Sequence, residues 1–320
     1  MFKIKQFGNI NLIALYSIRS IIMKNQVLCF GEVLWDTFGN EQIPGGAPMN
    51  VAQHLVKQGL NASLISRVGR DEPGERLANY LKLHHLHSGL LQFDDTLPTC
   101  QVSVQLDDEG KATYVIPQPV AWDNIEPSDV LLERIKNINV IVFGSLACRS
   151  QRSRDTLLNL FENQMLKIFD VNLRAPHYEP STIQTLAAMA DVIKMNEEEA
   201  SLLIGGYDEP LKDKIIEFQK KFHSQTICVT RGENGAMIYH NDKFYEHPGF
   251  TVDVADTVGA GDAFLATFIA GLLNKIPMST VLEKACAIGA YVTSQRGANP
   301  VYDETTINNI SKNTADAIQA

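Results

Sequence analysis

Two acids, Asp256 and Asp262, bracket a run of small residues in "DTVGAGDAF" (256–264). The apolar run at 263–273 reads as a buried helix. Gly259, Ala260 and Gly261 then stand at its start, where free backbone N–H groups and the helix dipole favour an anion. Small residues also let the backbone approach another group closely. An acid in the same turn points to a reaction that passes negative charge beside a base. Such a carboxylate should be a weak base, because the dipole favours its charged form. The bland alternative is an acid that merely stabilises a first helical turn. The chain has no GxxxxGK[ST] and no GxGxxG after its first apolar run, so an anion site must come from "GAGD".

These residues need a frame. "QVLCFGE" (26–32), "VIVFGS" (140–145), "KIFDVN" (167–172), "DVIKMN" (191–196) and "TICVTRG" (226–232) read as buried parallel strands. Helical patterns at 49–59, 73–84 and 213–222 lie between them. The alternation predicts an α/β domain, a three-layer core around a mainly parallel sheet. Ligands of such sheets sit beyond the carboxyl ends of the strands. The polar tails Glu32, Asp36, Asn172, Arg174, Asn196 and Arg231 are therefore expected on one edge. "TCQVSVQLDDEGKATYVIP" (99–117) breaks the rhythm, alternating apolar and polar residues about "DDEG", which is a hairpin signal. Segments of about 37–46 and 98–118 are expected to form a small β lid inserted in a single domain of residues 24–320.

The net charge of −9 over 320 residues argues against nonspecific nucleic-acid binding, so an anionic ligand must be held by local groups. Cys29, Cys100, Cys148, Cys228 and Cys286 are widely spaced with no CxxC pair, which suits buried thiols in a cytoplasmic protein. His84, His85 and His87 read as a helix end rather than a metal site. Residues 1–23 are basic and partly apolar, but Arg19 interrupts the apolar stretch and its length is short of a membrane span. They read as an extension outside the fold, with no membrane role. The last residues, 311–320, read as a polar tail.

"PGGAPMNVAQHLVKQG" (44–59) and "DTVGAGDAF" resemble the two signatures of the ribokinase-like, pfkB-type sugar kinases. "GEVLWD", "SRVGRDEPG", "DVNLR", "KMNEEEA" and "TRGENGA" fall in the order expected with them, so the resemblance runs from about Val27 to Pro300. The branch most resembled is fructokinase. The resemblance implies transfer of the γ-phosphoryl group of ATP, with Mg2+, to the 6-hydroxyl of D-fructose. Asp262 matches the family's base, and Gly259, Ala260 and Gly261 its donors to the transferring phosphoryl group. Asp36, Gly45, Gly46 and Asn50 match sugar contacts, and Arg174 would point at the phosphates. Asn196 and Glu199 match a pair that organises Mg2+ through water. Thr230, Gly232 and Gly235 resemble the nucleotide loop, although "GENG" alone would make an ordinary turn. Lys194 is grouped with the cofactor side, its role open, and Asn299 with the purine. Asp256 and the carbonyl of Val258 match a monovalent-cation site, here K+.

Kinases of sugar phosphates often carry lysine after the paired glycines; Ala47 and Pro48 stand there, which favours a neutral sugar. Trp35 is either an apolar face for that sugar or a core residue. The open edges of a β lid imply a homodimer paired through it. Phosphoryl transfer is mainly positioning and charge stabilisation through a loose transition state, so a weak base is tolerable. Within the family the alternatives are a 2-keto-3-deoxy sugar acid, ribose or nucleoside kinase. A catalytically inactive sugar-binding regulator is the non-enzyme alternative, and the intact Asp262 and glycine tract argue against it. A dehydrogenase is disfavoured by the missing GxGxxG.

Overall fold

The first strand shows how the core is built. Along Gln26–Phe30, Leu28 and Phe30 enter one apolar cluster while Val27 and Cys29 enter another. A strand buried on both faces belongs inside a parallel sheet. The computed structural model describes residues 26–39, 41–86, 89–106, 112–161, 164–205, 210–303, 305–307 and 309–310. The expected extension at 1–23, the hairpin turn at 107–110 and the tail at 311–320 lie outside the described residues.

In chain order the strands are β1 (Gln26–Phe30), β2 (Leu34–Phe38), β3 (Glu41–Gly45), β4 (Asn61–Gly69), β5 (Leu91–Asp94), β6 (Gln101–Leu106), β7 (Ala112–Val115), β8 (Val140–Gly144), β9 (Leu166–Asp170), β10 (Val192–Asn196), β11 (Thr226–Thr230), β12 (Ala236–His240) and β13 (Lys243–His247). The helices are α1 (Ala47–Lys57), α2 (Glu72–Leu83), α3 (Asp129–Ile135), α4 (Gln151–Leu160), α5 (Pro180–Met189), α6 (Glu197–Ile204), α7 (Leu211–Phe222), α8 (Ala260–Leu273) and α9 (Met278–Thr293).

The large sheet runs β13-β12-β11-β10-β9-β8-β1-β4-β5 and is parallel from β11 to β5; β12 and β13 are added antiparallel. One face packs on α4, α5 and α7 through Leu157, Leu186 and Phe218. The other packs on α1, α2, α8 and α9 through Leu55, Leu77, Phe268 and Leu282. The three-layer core read from the alternation is the one observed. The five strands read from apolar runs are all present.

A second sheet, β3-β2-β6-β7, forms the lid. Its two outer pairs are antiparallel and β2 runs parallel to β6. The lid begins at Leu34, earlier than the expected 37, because Trp35 pairs with Pro44 and Gln101 and its N–H donates to Cys100 O. Trp35 is a core residue: its ring is buried, its Nε1 donates to Pro73 O at 3.0 Å, and the Arg76 guanidinium lies over it. Among the described residues no helix is long and apolar enough to cross a membrane.

Candidate active site

Strand β1 lies between β4 and β8, so the chain order reverses there and leaves a crevice beyond the strand ends. The polar tails gather at that edge. Glu32 follows β1, Asp170 ends β9, Lys194 lies in β10, and the start of α8 brings Asp262 to them.

The small residues before Asp262 have separate reasons. Gly259 caps α8 with φ +81°, and a Cβ there would sit 2.5 Å from Ala298. Gly261 leaves room for the Lys194 ammonium, which lies 3.1 Å from where its Cβ would be. No side chain caps α8, and of its first N–H groups Ala260 N makes only a long 3.4 Å bond to Thr257 O. Lys194 is buried and pairs with Asp170 Oδ1 at 2.9 Å.

Asn50 Nδ2 donates to Asp262 Oδ2 at 2.8 Å. Burial, then the neighbouring Asp170 charge, pushes the Asp262 carboxyl up to about 6, against the pull of Lys194, the Asn50 bond and Arg174. This corrects the expectation of a weak base. The dipole of α8 favours the anion, but burial among acids outweighs it. A carboxylate of this kind is tuned toward the range useful to a general base.

Under the lid, Asp36 lies against Gly45, where any Cβ would collide with its Oδ2. Gly46 has φ +114° and approaches Glu32 O, so both glycines are required by space or by backbone. Burial raises the Asp36 carboxyl to about 6, opposed by Arg174. Glu32 is raised to about 7, chiefly by burial, and its Oε2 has no partner among the described residues. Arg174 is exposed, and its charge acts on Glu32, Asp36 and Asp262 together. Burial, and after it the charges of Asp36 and Asp256, raises the Tyr114 hydroxyl on β7 of the lid.

On the other side of Asp262 lies a cleft of about 650 Å3, the size of a small-molecule site. Thr230, Gly232, Gly235, Asn196, Ala260 and Gly261 contribute to its wall. Gly235 has φ +77° and lies so close to His247 O that no side chain fits. The expected nucleotide loop thus lines a real cleft, though it is also the β11–β12 hairpin turn.

Three expectations change. Asn299 is not on the purine side: it lines no part of this cleft, and its Nδ2 donates to Asn50 Oδ1 at 2.7 Å, behind Asp262. Lys194 does not reach the cleft either; its pairing with Asp170 holds it beneath Gly261. Glu199 is buried, with Oε2 accepting from Asn196 N and Oε1 from Leu173 N, while Asn196 Oδ1 accepts from Glu199 N. This capping box turns Glu199 away from the cleft and leaves only Asn196 on its wall. Asp256 accepts from Val258 N and Gly297 N, tying the loop before α8 to the loop after α9.

Sequence reading expected Glu32 on this edge but gave it no role, and it passed over Asp170. Glu32 follows β1 in "CFGE" and Asp170 ends β9 in "IFDVN", the one signal that marked them.

Acids and paired glycines beside a β lid, a carboxylate bonded to the neighbouring helix, and a cleft against a helix start with no side-chain cap make the architecture of a ribokinase-like kinase. The model of the pfkB family carbohydrate kinase matches residues 9–305. The chain belongs to that family and is an ATP-dependent sugar kinase. A probable chloroplastic fructokinase-6 of Arabidopsis thaliana is 32% identical over 305 residues, covering 86% of this chain and 79% of its own length. A Xylella fastidiosa fructokinase crystallised with ATP superposes with a TM-score of 0.81 at 21% identity, covering 91% of this chain and 99% of its own. A Vibrio cholerae fructokinase in a fructose-, ADP- and potassium-bound form superposes with a TM-score of 0.77 at 25% identity, covering 90% and 98%.

Proposed function

We propose that the chain phosphorylates a neutral sugar, D-fructose, on its 6-hydroxyl. The observation that carries this reading is one of adjacency: Ala260 and Gly261 line the cleft, and the next residue, Asp262, is bonded to Asn50 of the "GGAPMN" segment. The fructokinase names of the relatives, and the fructose and ADP bound by the Vibrio protein, support the choice of sugar.

In this reading Asp36, Gly45, Gly46 and Asn50 hold the sugar under the lid, and Asp262 takes the hydroxyl proton as the bond to phosphorus forms. The N–H groups of Gly259, Ala260 and Gly261 stabilise charge on the transferring group. Arg174, exposed and acting through its charge on Glu32, Asp36 and Asp262, offsets the negative charge of the phosphates. Thr230, Gly232 and Gly235 receive the nucleotide.

The exposed Asn196 on the cleft wall, beside Glu197 and Glu198, would hold a hydrated Mg2+ there, which would supply positive charge to the phosphates. Asp256 and the Val258 carbonyl fit a potassium ion that would steady the loop before α8; the potassium bound by the Vibrio protein supports it. The single domain of residues 24–320 and a homodimer paired through the lid belong to the same proposal, the latter supported by exposed Tyr114 and Val115 on β7. Five free, buried cysteines support a reducing compartment, the cytoplasm.

ADP release measured across fructose, glucose, ribose, a 2-keto-3-deoxy sugar acid and adenosine tests the reading. Fructose should give the highest kcat/KM. A preference for the sugar acid or the nucleoside would overturn the substrate and leave the kinase standing.

A further inference from the structure

Asn50, His54 and Lys57 stand at i, i+4 and i+7, on one face of α1. All three hold the loop that follows α9. Lys57 Nζ donates to Asn299 O at 3.0 Å and to Pro300 O at 3.1 Å. His54 is buried, and burial keeps its ring neutral by lowering it to about 4. Its Nε2 faces Ala298 O at 2.9 Å, so that nitrogen must carry the proton and donate. Its Nδ1 is then an acceptor, and the Tyr302 hydroxyl donates to it at 2.8 Å. The same loop donates Gly297 N to Asp256 and packs Ala298 against Gly259. It therefore touches the tract before the base from one side and the Asn50 helix from the other.

The hydrogen bonds along this face have a direction. The Asp262 carboxylate needs a donor, and Asn50 supplies Nδ2. That leaves Asn50 Oδ1 in need of a donor, and Asn299 Nδ2 supplies it. With either amide turned over, two oxygens would face each other. The Asn299 Oδ1 has no partner among the described residues, so nothing opposes this orientation from its other end.

We propose that Asn299 is a positioning residue for the base: it fixes the amide of Asn50 so that a donor, and not an acceptor, faces Asp262. The proposal rests on the reading of Asp262 as the proton acceptor. Asn299 touches neither sugar nor nucleotide in it. Asp170 at the end of β9, Lys194 in β10, Arg174 beyond β9 and Glu32 beyond β1 also act on Asp262 through their charges. A change at 299 leaves all four in place.

The test compares pH profiles of kcat/KM for wild type, Asn299→Leu, Asn299→Asp and Asp262→Asn, with thermal melts as a check on folding. Asn299→Leu keeps the volume and removes the donor; Asn299→Asp demands a donor and turns the Asn50 amide away from Asp262. The acid limb should rise by about half a pH unit in Asn299→Leu and about one unit in Asn299→Asp. kcat should fall about 3-fold and about 10–100-fold in the two variants, with KM for ATP within about twofold of wild type. Wild-type kcat and acid limb in Asn299→Leu overturn the proposal, even where Asn299→Asp is shifted, because added charge alone explains that pattern. A melted Asn299→Asp leaves the decision to Asn299→Leu. Turnover retained in Asp262→Asn sinks the base reading and this proposal together; loss there with an unaltered Asn299→Leu sinks this proposal alone.

Discussion

Asp262→Asn should remove activity and add stability in the same protein. The folded chain holds the Asp262 proton to about 6, against an ordinary value of 3.8. At about 1.4 kcal/mol per pH unit, ionising this group at pH 7.5 costs the fold at most about 3 kcal/mol. Its partial exposure lowers that to about 1–2 kcal/mol. Asparagine keeps the shape, can still meet Asn50 with its oxygen, and carries no charge to desolvate. At about 2–4 °C per kcal/mol for a chain of this size, Tm should rise about 2–8 °C at pH 7.5. The sign follows from the direction of the shift. Below about pH 4 the carboxyl is protonated in both folded and unfolded chains, and wild type and variant should melt alike. The difference should grow between pH 4 and 6 and level off above. Over the same range kcat should be about 10²–10⁴-fold lower, with sugar and ATP dissociation constants little changed. Calorimetry at four pH values and a coupled ADP assay read both effects. A variant less stable than wild type at pH 7.5, or a difference that does not vary with pH, would refute the claim that this acid is held against its ionisation.

Gly235→Ala should strain the cleft wall by about 1–3 kcal/mol, since its φ is +77° and His247 O leaves no room for a methyl group. KM for ATP should rise well above any change in KM for sugar, and equal changes would count against a nucleotide loop there. Light scattering at micromolar concentration should give the mass of a dimer; a monomer removes the paired lid. Activity in potassium should exceed activity in tetramethylammonium, and equal rates would discard the cation role of Asp256.

Much of the fold was legible because strands buried on both faces leave unmistakable apolar runs. β4 escaped because "NASLISRVG" carries Ser63, Ser66 and Arg67 along its length. Ser66 is nonetheless buried, its Oγ without a partner among the described residues, and Arg67 pairs with Asp94 at 2.8 Å. The base and its glycines were legible because a helix start, small residues and an acid stand together in the chain. Their environment was not. The rise of Asp262 comes from burial beside Asp170, far away in sequence, and no local pattern reports it. Asn299 was misplaced for the same reason: its partner Asn50 lies 249 positions away and meets it only through the packing of the final loop on α1. Glu199 matched a motif by spacing, yet that spacing also makes a capping box, and here the backbone takes both oxygens.

The most direct measurement is the product of a single incubation. The purified chain, D-fructose, ATP, Mg2+ and potassium are mixed, and phosphorus-31 and carbon-13 spectra are followed. ADP and fructose 6-phosphate should appear in equal amounts, and neither should appear at comparable rate with Asp262→Asn. ADP with free phosphate but no sugar ester, or phosphate on another carbon of fructose, would contradict the placement of the 6-hydroxyl between Asp262 and the helix start.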